Sequence, residues 1–550
     1  MSKDIVSGAL RAAEKEIDSA YLTNPLVQRE FGEAAWYFLA FCEERLIGPI
    51  VKRADSADPT NPHEQAALAD EVINHAKWPL RWLRQSCPMG QIVPSQYSDE
   101  TYTASWDLSE LASNYLTFES AFTYASLGLI DLRLEGRRII PSRAFRDDTR
   151  FDAYDRLTDL DEKGLQPDLG FVMTLVSDMI RVDGARFSYP LNPSIVSKTL
   201  RHIEPALNQR FRLPEEWSFT DYTLAQYVRV AKSLWAISAI HFVSRLIAAG
   251  RGCLGLGYSR ALVVMSDEEL YRRLARYTGL DDRCVRAVVS DLTFGAGEMR
   301  SPDPALQPLV RLTKTVLGWA PGLLLNNALE RNLTVLLNRL PDARDAYARL
   351  SQHKEALLRT QITDDLRGLQ FRFWHGEVGA WEKRLDVDLA IVSEQEKCCL
   401  LLELKSFIGP AEAREIRDRS EEIARGIQQV KARQTLMQEQ PQALRDALQV
   451  SSEFDLEWAV ASETSIGAIW VQDDSVPVVR AGHLVRKLCQ SRRLVEVCEW
   501  LRKREYLPVE GRDYEVVDVR VTIANWELDW YGIKGLGESE ADDTGEATKR

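Results

Sequence analysis

The sequence predicts an α+β protein, with a mainly helical N-terminal region followed by a C-terminal α/β domain built on a mixed central sheet. Three observations predict it. Through roughly the first 345 residues, apolar side chains recur at three- and four-residue spacing, the period of an amphipathic helix. Beyond about residue 350 they alternate or run continuously in short stretches, the mark of strands. A long helical segment then separates two groups of those stretches, as a crossover between parallel strands does.

Taken in order, Val27 to Arg45 and Ala66 to Gln85 have helical spacing, and DSADPTNPHE between them reads as a loop. Residues 128–143, GLIDLRLEGRRIIPSR, alternate on both sides of Glu135-Gly136, which predicts a hairpin. A hairpin after a helical run is also the layout of a winged helix, with Arg133, Arg137, Arg138 and Arg143 along the wing. A small hairpin capping a helical bundle is the plainer reading. Residues 150–345 are again mostly helical, including Leu224 to Ala249 and Ala305 to Leu317. Strand patterns follow at 369–375, 384–392 and 397–405, after a helical stretch from His353 to Leu366. A long helix from Ala411 to Gln438 leads to further strands at 456–461, 467–472 and 476–480. The expected domains are therefore 1–149, 150–345 and 346–536, with a disordered acidic tail at 537–550.

Composition narrows the function. Lys plus Arg is 69 against 82 Asp plus Glu, a net charge of −13. That balance excludes a protein that coats nucleic acid or anionic membrane indiscriminately, though not one with a local basic patch. No uncharged run is a convincing membrane span of about 20 apolar residues, and the start lacks a secretory core, so a cytoplasmic protein with no membrane partner is expected. The eight cysteines form no CxxC and the seven histidines no HExxH, which argues against a structural zinc site, a disulfide framework or the usual zinc hydrolase. Gly250 to Gly255, GRGCLG, matches the dinucleotide fingerprint in letters only, because a helical pattern precedes it instead of a strand. A glycine-rich helix terminus is expected there.

The chemistry is concentrated on two strands. In RLDVDLAIV, Asp386 and Asp388 fall on one face. KCCLLLELK is a nearly continuous apolar run ending in Glu403 and Lys405, which share a face. Ionised groups at the end of a buried strand are costly unless they are paired or bind something. The loop SEQEK, 393–397, would bring the strands together and set Asp388 near Glu403 and Lys405. Two carboxylates suit a hard divalent cation such as Mg²⁺ or Mn²⁺, with the Leu404 carbonyl as a further oxygen. The lysine can act on a water or on developing charge.

Asp388, then 14 residues, then Glu403-Leu404-Lys405 ahead of a long helix resembles the PD-(D/E)XK nuclease superfamily, the restriction-endonuclease-like fold. The resemblance covers about 350–535 and lacks the proline before the aspartate, which leaves Asp386 as a rival to Asp388. It implies Mg²⁺- or Mn²⁺-dependent hydrolysis of phosphodiesters, with DNA preferred, RNA open, and Asp388, Glu403 and Lys405 catalytic. It also implies a metal-ligating glutamate on the preceding helix, Glu355 or its rival Glu330, and a glutamine on the following helix, Gln428 or Gln429. The window 480–504 has eight basic residues and two acidic ones, and Arg486, Lys487, Arg492 and Arg493 are its candidate phosphate contacts. The layout is reminiscent of microbial and antiviral defence nucleases, and a homodimer or a partner protein is a separate open expectation. The alternatives are an inactive nuclease fold serving as a nucleic-acid-binding or scaffold module, and a helical regulator that binds DNA through the wing.

Overall fold

The computed structural model describes residues 3–536 apart from 55–61, 97, 143–147, 163–168, 185, 209–212, 254–259, 298, 300, 328, 379–384, 408–412 and 440. The expected tail at 537–550 lies outside the described residues. The chain is a mixed α/β protein with a helical N-terminal region, and it divides into two compact units, each made of two segments.

The first unit is Met1–Thr117 with Lys163–Leu350. Its helices include Phe31–Ala54, Pro62–Ser86 and Leu224–Gly250. The last begins with a capping box, in which the Thr223 side chain accepts from the Gln226 N–H and the Gln226 side chain accepts from the Thr223 N–H. By length and composition this helix could cross a membrane, but 83% of its most apolar window is buried inside the protein. It ends at Gly250, and Gly252 takes a φ of 90°, so the GRGCLG glycines begin at a helix terminus as expected. The helix expected over Ala305 to Leu317 does not form. Short strands Val310–Arg311 and Val316–Trp319 pair there, and Pro304 and Pro308 interrupt the helical pattern ahead of them.

The second unit joins Phe118–Glu162 to Ser351–Arg550. Its strands are β1 (Leu132–Glu135), β2 (Arg138–Pro141), β3 (Arg372–Val378), β4 (Leu385–Ser393), β5 (Cys398–Lys405), β6 (Asp455–Ser462), β7 (Val478–Arg480), β8 (Tyr514–Ile523) and β9 (Trp526–Gly535). Its helices are α1 (Arg150–Glu162), α2 (Lys354–Asp365), α3 (Ala413–Glu439), α4 (Pro441–Leu448), α5 (Ala481–Ser491) and α6 (Leu494–Arg502). One sheet has the order β7-β6-β5-β4-β3. In it β3, β4 and β5 are antiparallel neighbours, and β5, β6 and β7 run parallel. The long α3 makes the crossover from β5 to β6, as two parallel neighbours require. Leu400, Leu401 and Leu402 are buried because helices cover both faces of β5. Cys399, Leu401, Glu403 and Lys405 share one face, and a Cβ added to Gly426 of α3 would lie 3.1 Å from Lys405 Cε. Cys398 is on the other face, where its Sγ is 3.6 Å from that of Cys498 on α6.

Two features of this second unit depart from the expected layout. The hairpin at 128–143 forms, but not as a wing on an N-terminal domain. β2 pairs with β9, giving a second sheet of order β1-β2-β9-β8. Arg138 is bound to Asp529 and Arg137 lies over the Trp526 ring at 5.2 Å, while Arg143 falls outside the described residues. The boundary expected at 149/150 thus gives way to a discontinuous unit, because Ile139 is buried against Leu528 of the C-terminal hairpin. The strand expected at 467–472 is instead a single 3-10 turn, Ile469–Val471. Gly467 takes a φ of 78° and the Gln472 side chain donates back to the Ile466 and Gly467 carbonyls, closing a turn in place of a ladder.

Candidate active site

The hairpin between β4 and β5 builds the site. Lys397 takes a φ of 51° in its turn, and the ladder runs from Cys398 opposite Ser393 to Leu402 opposite Leu389. Asp388 and Glu403 are each one residue past that last pair, hence opposite one another and on one face. Asp388 Oδ2 accepts the Leu404 N–H at 2.8 Å, which ties the two strand ends together. Lys405, on the same face as Glu403, brings its Nζ to 2.6 Å from Glu403 Oε1.

Glu403 is only 2% exposed. A carboxylate buried to that degree would cost several kcal/mol if left without partners. It has two. Lys405 holds Oε1, and the Arg433 guanidinium of α3 holds Oε2. Helix geometry explains Arg433: it stands seven residues, or two turns, beyond Gly426, on the stripe that includes the buried Ile423, Ile427 and Val430. From α2, Glu355 places Oε1 3.6 Å from Lys405 Nζ, and Arg359 donates to the Asp388 carbonyl at 3.4 Å.

The electrostatics reflect this crowding. Burial raises the Glu355 carboxyl above its ordinary value, Lys405 opposes that, and Asp388 adds to it as a like charge. Asp386 is raised in the same way, by burial first and by Asp388 second. Burial lowers the Arg433 guanidinium from its usual value, while Asp388, Asp386 and Glu355 all favour its charge. It is a cation among carboxylates.

The sequence-derived residues fare unequally. Asp388, Glu403, Leu404, Lys405 and Glu355 meet at one sheet end, and Asp386 is exposed two residues before Asp388. Glu330 belongs to the helix Leu329–Arg339 of the other unit, and its side chain is outside the described residues. Gln428 and Gln429 are both exposed, off the stripe of α3 that packs on the sheet, and it is Arg433 of that helix that stands next to Glu403. Several residues of the basic window have partners within the chain. Arg480 is buried, with its N–H on the Tyr154 hydroxyl at 3.2 Å. Arg493 pairs with Glu396 and Glu496, Arg502 with Glu457, and Lys503 with Glu499. Lys487 lies 5.6 Å from the Trp500 ring, Arg486 is half-buried, and Arg492 is exposed at the end of α5. α6 packs on the face of β5 opposite Glu403, whereas α5 packs against α2, the helix that carries Glu355, and Glu396 and Glu457 from outside the window offset part of its charge.

No protein-family model, curated protein or solved structure matches the chain. The site therefore has to be judged on its own chemistry. Its oxygen donors are the hard ligands that Mg²⁺ or Mn²⁺ prefers, and Glu355 and Asp386 both feel Asp388 as a like charge, a strain that a cation relieves. Among the described residues no three acidic, His or Cys side chains already converge as a metal centre. The donor set fits a divalent cation in chemistry, provided that Glu403 gives up one of its two present partners.

Proposed function

We propose that the second unit carries a PD-(D/E)XK-type nuclease centre that hydrolyses phosphodiester bonds in nucleic acid, DNA in preference to RNA. The observation that carries this reading is the meeting of Asp388 with Glu403 and Lys405 on one face at the end of two antiparallel strands, with Asp388 on the Leu404 N–H. The strand order, with a long helix crossing from β5 to the parallel β6, supports a restriction-endonuclease-like fold.

Asp388, Glu403 and the Leu404 carbonyl would hold the metal ion, with Glu355 at its edge. The ion, when bound, supplies a water of lowered pKa and charge to offset that developing on the phosphate. Lys405 is a compact point charge fixed by Glu403, so its ammonium can orient a water or neutralise a non-bridging phosphate oxygen. Asp388 positions the Leu404 backbone through its hydrogen bond and so sets the direction of that carbonyl.

A second reading has its own support. Glu403 is satisfied by Lys405 and Arg433 with no metal at all, as a nuclease fold kept for binding or scaffolding would be. Incubating the full chain with labelled duplex DNA, single-stranded DNA and RNA in Mn²⁺ separates the two. Cleavage by wild type and none by Asp388→Asn supports the nuclease; binding without cleavage by both supports the scaffold.

A further inference from the structure

Arg433 touches Glu403, yet the nuclease reading gives it no role. Its guanidinium holds Glu403 Oε2, and it is nearly buried, with 12% of its side chain exposed. Lys405 already holds Oε1. Both oxygens of the deepest carboxylate are thus taken by protein cations. Arg433 also feels Asp388, Asp386 and Glu355 as favourable charges. One guanidinium therefore sits within electrostatic reach of every acidic group proposed for the site.

The two cations on Glu403 come from different elements. Lys405 is on the same strand, two residues on, and its stem passes close to Gly426 of α3, where an added Cβ would come within 3.5 Å of its Cγ and Cε. Arg433 reaches in from α3 on a long side chain, so its departure would leave the strand that carries Glu403 in place. Resting on the nuclease reading, we propose that Arg433 is an internal latch: it occupies Glu403 in the metal-free protein and must swing away before a divalent cation can bind. A metal that binds only the unlatched form has its apparent affinity reduced by the fraction of molecules unlatched. The coupling is reciprocal, so metal binding expels Arg433 as strongly as Arg433 opposes the metal. Once displaced, its planar donors are suited to a phosphate oxygen.

The test is Mn²⁺ affinity of the full chain without nucleic acid, by titration calorimetry. Arg433→Gln should bind Mn²⁺ at least tenfold more tightly than wild type, and Asp388→Asn should abolish binding in both backgrounds. Arg433→Lys, which keeps the charge but not the planar guanidinium, should fall between. If Arg433→Gln does not fold, Arg433→Lys must still bind at least threefold more tightly. Equal or weaker binding by the folded variants overturns the latch and leaves the nuclease reading standing. If neither wild type nor variant binds Mn²⁺ in a manner that depends on Asp388, both proposals fall.

Discussion

Lys405 and Gly426 meet so closely that the smallest residue on α3 is part of the site. A Cβ at 426 would come to 3.1 Å from Lys405 Cε and 3.5 Å from Val460 Cγ1, so a methyl group needs a few tenths of an ångström of give and an isopropyl group needs more. Gly426→Ala should leave most activity, whereas Gly426→Val should lower kcat at least tenfold by moving the ammonium; equal activity in both would show that Lys405 tolerates displacement. A second residue-level prediction concerns acid. His483 is wedged between Tyr154, whose hydroxyl is 3.0 Å from Nδ1, and Trp500, and burial followed by Arg486, Arg480 and Lys487 pushes its pKa down to about 4. An unfolded histidine takes its proton near pH 6.5, so the unfolded state binds more protons between there and pH 4, and stability falls as pH drops through that window. At pH 5 the loss is about 2 kcal/mol. His483→Gln should flatten the unfolding midpoint between pH 6.5 and 5; an unchanged slope would contradict the assignment. At this scale the sequence was partly legible. Asp388, Glu403 and Lys405 stand out because charges interrupt apolar strand patterns. Arg433 does not stand out, since arginine is an ordinary helix residue; its only signal is its place on the Ile423, Ile427, Val430 stripe.

Among the elements, local signals are legible in the sequence and distant pairings are not. The Glu135-Gly136 turn predicts β1 and β2, because Gly136 takes a φ of 66° that its neighbours' side chains would disfavour. Nothing near residue 139 announces that β2 will pair with β9, nearly 400 residues on. The β8–β9 hairpin itself has a signal: Ala524 and Asn525 both take positive φ, as a tight two-residue turn requires, and asparagine tolerates that conformation. The strand expected at 467–472 failed because Gly467 supplies a turn that an apolar pattern does not reveal. The sheet pairing makes a prediction: Ile139 and Leu528 are fully buried opposite each other, so Ile139→Ala should destabilise the second unit by about 2–5 kcal/mol, seen as a lower midpoint in chemical unfolding. A change below about 0.5 kcal/mol would show that the hairpin is peripheral.

For the whole molecule, the helical-then-mixed order along the chain was legible, but its division was not. A linear reading places a boundary near 345, close to the observed break at Leu350, yet it cannot see that Phe118–Glu162 belongs with the C-terminal segment. Residues 351–536 alone lack β1 and β2, and also Phe151 and Tyr154 of the core around the five-stranded sheet. Expressed alone, that segment should unfold at a lower temperature than the same unit in the full chain, or fail to fold; equal melting would contradict the discontinuous unit. The central claim is that Asp388, Glu403 and Lys405 form a metal-dependent nuclease centre. The most direct test is supercoiled plasmid incubated with the full chain in Mg²⁺, Mn²⁺ or EDTA, beside Lys405→Ala. Nicking in metal only, reduced on the order of a hundredfold by Lys405→Ala, is the expected result. Plasmid left intact by wild type in both metals, or nicking equal in EDTA and in the variant, would contradict it.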